Sequence, residues 1–213
     1  MKFDFSKIDD FDRHINLSIP DYASLTDTFR HLALRYHDPA LRLTDLGCST
    51  GSFLHSLTDI NQLCLYGVDS IKFDGMKNNF NFWLGDAEHY FHTHKNVNHG
   101  VIVSMFFLQF LTSTKREKVL SQIAHHVANG STFLIAEKVY LPEVKLHQTI
   151  SRLHIQNKRN NFNDKDILDK EKDMESSMHC KTSDELEEEL WKLGKYYKVW
   201  QSYNFMGYIV TGE

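Results

Sequence analysis

Thr44-Asp45-Leu46-Gly47-Cys48-Ser49-Thr50-Gly51 decides how this chain is read, because a strand end, a glycine turn and a helix start follow one another without interruption. Leu41-Arg42-Leu43-Thr44 predicts a short strand, and Ser52-Phe53-Leu54-His55-Ser56-Leu57 predicts the start of a helix. Gly47 and Gly51 carry no Cβ, so the backbone can turn at positive φ and come close to a ligand. The loop amides and the helix start are then expected to face a carboxylate, since N–H groups at a helix N-terminus favour negative charge. The spacing is G-x-x-x-G, not the three-glycine G-x-G-x-x-G turn that receives a pyrophosphate. Taken alone, this turn suits any strand-to-helix connection.

The surrounding chain narrows the choice. Its 213 residues, 41% hydrophobic and 24% charged, suit one domain over 1–213 with a sizeable core. A net charge of -4 argues against a globally basic surface, so direct nucleic-acid binding is not expected. No apolar run is long enough to span a bilayer and the first residues lack a signal-peptide core, so a cytoplasmic location is expected. Cys48, Cys64 and Cys180 are odd in number and far apart, which does not suggest a disulfide framework. His89, His92, His94 and His99, with His125-His126, lack the Cys or acidic partners of a ligand pattern. They are read as surface connections, and no metal is expected.

Strand-like runs recur at 63–69, 80–84, 101–106 and 132–136, with the near-continuous hydrophobicity that parallel strands covered on both faces require. Between them, Val119, Leu120, Ile123 and Val127 fall at helical spacing within 113–128, and Asn129-Gly130 closes that helix. The sum is a doubly wound α/β sheet. A charged helical region over 143–193 then precedes strands at 197–203 and 205–211, whose short connection at Asn204 requires an antiparallel hairpin.

The glycine loop followed by this hairpin resembles a class I methyltransferase, a Rossmann-like fold that binds S-adenosylmethionine (SAM). That resemblance gives the acidic residues at successive strand ends their roles. Asp69 is placed to accept from the ribose hydroxyls, Asp86 with Ala87 to meet the adenine edge, and Asp45 to bear on the methionine amine. With Gly47, Cys48, Ser49 and Gly51 they form the expected cofactor site.

A closer resemblance covers most of the chain. Phe3-Asp4, Phe11, Ile15, Ser18-Ile19-Pro20-Asp21-Tyr22, Asp45-Leu46-Gly47-Cys48-Ser49, Leu108-Gln109-Phe110-Leu111, Glu137-Lys138, His154, Lys158-Arg159, Gln201 and Asn204-Phe205 are similar to the carboxy-S-adenosyl-L-methionine synthase family. The resemblance implies a homodimer that makes carboxy-SAM and phenylpyruvate from SAM and prephenate, for wobble-uridine modification in tRNA. It implies Tyr22 over the methionine end of the cofactor, with 1–38 as an N-terminal helical lid, and 143–193 as a substrate or interface region. His154, Lys158 and Arg159 are candidate anchors for the acid, arginine being able to grip a carboxylate bidentately.

This chain also departs from that family. Met105 stands where the family carries an asparagine near the sulfonium, and the helix before the hairpin, Ser183-Asp184-Glu185-Leu186-Glu187-Glu188-Glu189-Leu190, lacks the arginine that grips the added carboxylate. The 70–80 connection is short for a crossover helix, which predicts a thinner wall to the adenosine pocket. Three readings therefore stand side by side. They are a carboxy-SAM synthase, a divergent methyltransferase using ordinary SAM, and a catalytically silent SAM-binding partner subunit. No catalytic residue is assigned.

Overall fold

A computed structural model describes residues 10–58, 63–77, 79–175 and 177–212, the side chain of Glu175 excepted. Phe3-Asp4 and the first part of the expected lid segment lie outside the described residues. Seven strands form one sheet in the order β3-β2-β1-β4-β5-β7-β6. These are β1 (Arg42–Leu46), β2 (Cys64–Asp69), β3 (Asn81–Leu84), β4 (His99–Met105), β5 (Thr132–Lys138), β6 (Lys195–Ser202) and β7 (Phe205–Thr211). Strands β1 to β5 pair in parallel, while β7 runs antiparallel to both β5 and β6. The sheet thus combines the expected doubly wound core with the expected C-terminal hairpin.

Side-chain alternation explains why both faces are covered. On β4, Ile102 joins the apolar layer under α4 (Ala87–Thr93), α5 (Ser113–Ala128) and α8 (Ser183–Leu193), while Val101 and Val103 join the layer under α2 (Tyr22–Tyr36) and α3 (Ser52–His55). Strand β5 repeats the division, with Phe133 and Ile135 on one side and Leu134 and Ala136 on the other. Helix α5 spans the residues its periodicity predicts, and Val119, Leu120, Ile123 and Val127 are all buried. The acidic start of α8 is fixed by a capping box between Thr182 and Glu185, which satisfies backbone donors at the helix end.

Several boundaries differ from the sequence reading. Asp45 is a strand residue and not a loop residue, because β1 pairing continues through Asp45↔Gly67 and Asp45↔Val103. Helix α3 is a single turn ending at His55. The region after Glu143 divides into α6 (Val144–Lys158) and α7 (Asp164–Glu175), and an eight-residue helix α1 (Phe11–Ser18) precedes α2. Strand β3 is the sheet edge, so Leu84 is 59% exposed and not a central-strand side chain. No helix occurs among the described residues of 70–80, as the short connection predicts.

Two histidine expectations need correction. His99 opens β4 and His126 lies in α5; both are buried, with ring centroids 4.5 Å apart, whereas His89 and His92 are exposed. Their location follows from sheet pairing and helix periodicity, which place them inside the layer between β4 and α5. Burial lowers the His99 pKa to about 3, with further lowering from His126. No helix among the described residues is long and apolar enough to cross a membrane.

Candidate functional site

The carboxyl ends of β1, β2, β3 and β4 meet around the glycine loop. Gly47 (φ 74°) and Gly51 (φ 77°) adopt the left-handed backbone that the turn requires. A Cβ on Gly47 would lie 2.6 Å from the Phe107 ring, and one on Gly51 would lie 2.2 Å from the Phe80 ring. The two glycines therefore serve close packing as well as the turn. Ser49 adopts φ 50° between them, a conformation that costs energy for a residue with a Cβ.

The carboxylates that meet this loop belong to the chain itself. Ser49 N–H donates to Asp69 Oδ2 at 2.9 Å, and Ile71 N–H donates to Asp69 Oδ1 at 3.0 Å. Gly47 and Cys48 N–H both donate to the Val68 carbonyl. At the start of α3, the hydroxyls of Thr50 (2.5 Å) and Ser52 donate to the carboxylate of Asp12, which tethers α1 across the loop. Asp12 is a residue the sequence reading missed. Its partners lie 38 and 40 positions away, and nothing local distinguishes it from an ordinary first-turn aspartate.

Tyr22, Asp45 and Asp69 form the electrostatic centre. Asp45 is 3% exposed, and burial, reinforced by the charge of Asp69, holds its carboxyl well above the usual range. Burial also raises Asp69, against the hydrogen bonds from Ile71 and Ser49 that favour its charge. The Tyr22 hydroxyl is pushed up by burial and then by Asp45 and Asp12, so the tyrosine stays neutral. Cys48 is raised likewise by burial and by Asp45 and Asp69, which keeps it a thiol and not a nucleophilic thiolate. Tyr22 also packs against Phe106, ring centroids 6.3 Å apart, directly beyond Met105 at the end of β4.

Beside this centre lies a recess with an apolar floor of Val68, Phe107, Leu111 and Val119 and a polar rim of Asp69, Ser70, Asp86 and Glu88. Ala87 completes its wall. Asp86 is exposed and pairs with Lys115 at 3.3 Å. Phe107, like Asp12, was not singled out by sequence. The aromatic run after β4 reads there as core, and only the fold sets it over Gly47.

The three candidate acid anchors do not lie together. His154 and Lys158 are buried and face α1, whereas Arg159 is exposed and pairs with Asp164 at 2.7 Å. Consecutive residues at the end of a helix point about 100° apart, which turns Arg159 away from its neighbour. His154 Nε2–H donates to the Ser18 carbonyl at 3.0 Å, and its ring packs edge-on to Phe205 at 5.1 Å. Burial, then Lys158, lowers the His154 pKa to about 4. Lys158 lies within 3.9 Å of Glu171, and burial followed by the charge of Lys138 lowers it to about 8.

The acidic helix α8 is engaged internally. Arg116, 3% exposed, holds Glu137 through Nη1 at 2.8 Å and Nη2 at 2.9 Å, and Glu189 through Nη2 at 2.7 Å. Lys181 also pairs with Glu189 at 3.1 Å, while Tyr208 Oη donates to Glu187 at 2.8 Å. Burial works against the charge of Arg116, but Glu137 and Glu189 hold its pKa above the ordinary value. Glu137 and Glu189 thereby neutralise a cation of the core.

No family model matches the chain. It is 29% identical to the carboxy-S-adenosyl-L-methionine synthase of Idiomarina loihiensis, over 95% of this chain and 89% of that protein. It is 27% identical to the synthase of Shewanella halifaxensis, over 92% and 86% respectively. In structure it matches the plantazolicin methyltransferase BamL, solved in complex with a triazolic desmethylPZN analog and SAH, with a TM-score of 0.67 at 12% identity, covering 98% of this chain and 93% of that one. A Haloferax volcanii complex of a methyltransferase with its Trm112 activator gives a TM-score of 0.54 at 15% identity, covering 91% and 92%. The chain has the class I methyltransferase fold, and over nearly its whole length its sequence is similar to the carboxy-S-adenosyl-L-methionine synthases.

Proposed function

We propose that the chain is a SAM-binding transferase related to the carboxy-SAM synthases, with the adenosyl ligand along β1, β2 and β3 and an acid co-substrate beside β5 and α6. The observation that carries the reading is the convergence of Tyr22, Asp45 and Asp69 on the glycine loop at one end of the sheet. The residues present suit such a ligand. The recess offers an apolar floor for a planar base, Asp69 and Asp86 offer acceptors for ribose hydroxyls and the base edge, and buried carboxylates favour a cation. When bound, SAM supplies an electrophilic methyl group on a positively charged sulfur. Tyr22 and Phe106 close the side next to Met105, excluding water from that end. The tether from Asp12 keeps α1 across the loop as part of a lid.

Prephenate is the acid named by the resemblance, with His154 and Lys158 retained as its candidate contacts and Arg159 displaced to solvent. A second reading, methyl transfer from ordinary SAM to another acceptor, is favoured by helix α8, which carries no arginine and whose Glu189 is bound to Arg116 and Lys181. The two separate on incubation of the protein with SAM and prephenate, followed by mass spectrometry of the nucleosides. Carboxy-SAM with phenylpyruvate supports the first. SAM that stays intact with prephenate but is demethylated by another acceptor supports the second. Binding of SAM without turnover under any condition leaves a silent partner subunit. A homodimer belongs to the first reading, and sedimentation velocity tests it through a species of twice the 25.0 kDa chain mass.

A further inference from the structure

Above its apolar floor, the adenosyl recess is lined by the start of α4, with Asp86 and Glu88, and by the first turns of α5, with Lys115 and Val119. One pair of charges joins these two walls within the lining itself, Lys115 Nζ donating to Asp86 Oδ2 at 3.3 Å. A second pair, Lys118 with Glu88 at 2.8 Å, stands three residues further along α5. The free volume inside is about 50 Å3, well below that of a small-molecule pocket, so the rim has to part to admit a planar base. The Lys115–Asp86 pair is what a base entering between the two walls meets.

Asp86 holds the N-cap position of α4, where an aspartate ordinarily accepts from the backbone N–H two or three residues on. Its carboxylate makes no such bond and is turned to Lys115 instead. An ion pair with half of each side chain in solvent contributes little to stability. What it offers is a pattern, because a carboxylate only accepts and an ammonium only donates, and the two stand side by side above an apolar floor. The adenine edge that carries N6 and N7 presents the complementary pattern, a donor beside an acceptor. A 6-oxo purine presents two acceptors there and sets an oxygen against the carboxylate.

From this arrangement we propose that Lys115 is a specificity-determining residue of the adenosyl site, donating to N7 of the adenine while Asp86 accepts from its N6 amine. The proposal rests on the adenosyl reading above, to which Asp86 belongs, and adds Lys115 to it. As the base enters, the ion pair opens and each partner exchanges the other for an atom of the base, so neither charge is left without a partner. Lys115 gives up Asp86 as it gains N7, which keeps the net gain in affinity small. Discrimination between purines is larger, because a base without the matching edge breaks the pair and does not replace it. Lys118 lies outside the lining and joins α5 to Glu88 without reading the base.

Calorimetric titration of the full chain with S-adenosylhomocysteine, its 7-deaza analogue and S-inosylhomocysteine tests this. The 7-deaza analogue, with C–H in place of N7, is expected to bind the wild-type chain about fivefold more weakly than S-adenosylhomocysteine, and the 6-oxo analogue at least about tenfold more weakly. In Lys115→Met, shown to be folded by circular dichroism, the 7-deaza penalty is expected to fall below about 1.5-fold, while in Lys118→Met it stays near about fivefold. The ratio within each variant is the readout, so a general change in affinity or stability does not move it. Equal binding of either analogue by the wild-type chain, an undiminished 7-deaza penalty in Lys115→Met, or its loss in Lys118→Met as well overturns the role of Lys115 while S-adenosylhomocysteine still binds. If S-adenosylhomocysteine does not bind the wild-type chain, the adenosyl reading itself fails and the proposal falls with it.

Discussion

The two halves of the sheet's carboxyl edge gather ionisable groups of opposite type. Around β1 and β2 they are the buried carboxyl of Asp45 and the half-buried one of Asp69, with Tyr22 held neutral near Asp45 and Asp12. Around β5, α6 and α7 they are the buried Lys158 and the half-buried Lys170, with His14 and His154 held neutral beside them. Burial disfavours the charged form in each half, a cost that a cation would offset on the first side and an anion on the second. Helix α8, by contrast, has acids of the same type in a different role, since Glu189 and Glu187 are satisfied by Arg116, Lys181 and Tyr208. Acidic composition alone does not identify a binding face; what each carboxylate already holds does.

The largest expected effect lies in the helix that does not bind. Arg116→Met leaves the buried Glu137 without its cation and Glu189 with Lys181 alone, and is expected to destabilise the fold by about 3–5 kcal/mol, read from chemical denaturation. A loss below about 1 kcal/mol would mean these acids are available to ligands after all. Next comes Gly47→Val, whose Cβ meets Phe107 at 2.6 Å and which must hold φ near 74°. Strain of about 1–3 kcal/mol together with the clash is expected to weaken S-adenosylhomocysteine by about 100-fold, measured by calorimetry.

Acid titration sharpens the comparison because the halves respond with opposite sign. His154 has a folded pKa of about 4, below its unfolded value, so as pH falls below about 6.5 the unfolded state takes the proton first and stability is lost. By pH 5 that loss is on the order of 2 kcal/mol, and His154→Gln, which keeps an N–H for the Ser18 carbonyl, should flatten it. Asp45 has a raised folded pKa, so its unfavourable charge is relieved as pH falls through that value. Asp45→Asn should therefore make the acid loss steeper, as followed by urea midpoints at pH 7 and 5. The smallest effect is Asp69→Asn. Removing one charged acceptor should weaken the adenosyl ligand about tenfold, measured by calorimetry.

How far this edge was legible in the sequence depended on how local each signal is. Gly47 and Gly51 announce a turn that side chains cannot occupy, the strand runs announce burial on two faces, and Asn204 leaves room only for a hairpin. Those features read correctly because each is decided within a few residues. Asp12 and Lys170 were invisible because their partners, Thr50 and His14, stand 38 and 156 positions away. Arg159 shows the opposite case. Its adjacency to Lys158 suggests a shared task, but one step around the helix turns it to solvent and Asp164. The same limit applies to Glu189, which the sequence shows only as one acid of the 183–190 run and the fold places on Arg116, 73 positions away.

Titration of the purified chain with SAM, alongside Gly47→Val shown to be folded by circular dichroism, tests the central claim most directly. The carboxylate half predicts saturable binding by the wild-type chain that the substitution reduces by about 100-fold. No saturable binding by the wild-type chain, or equal binding by the folded variant, would contradict it.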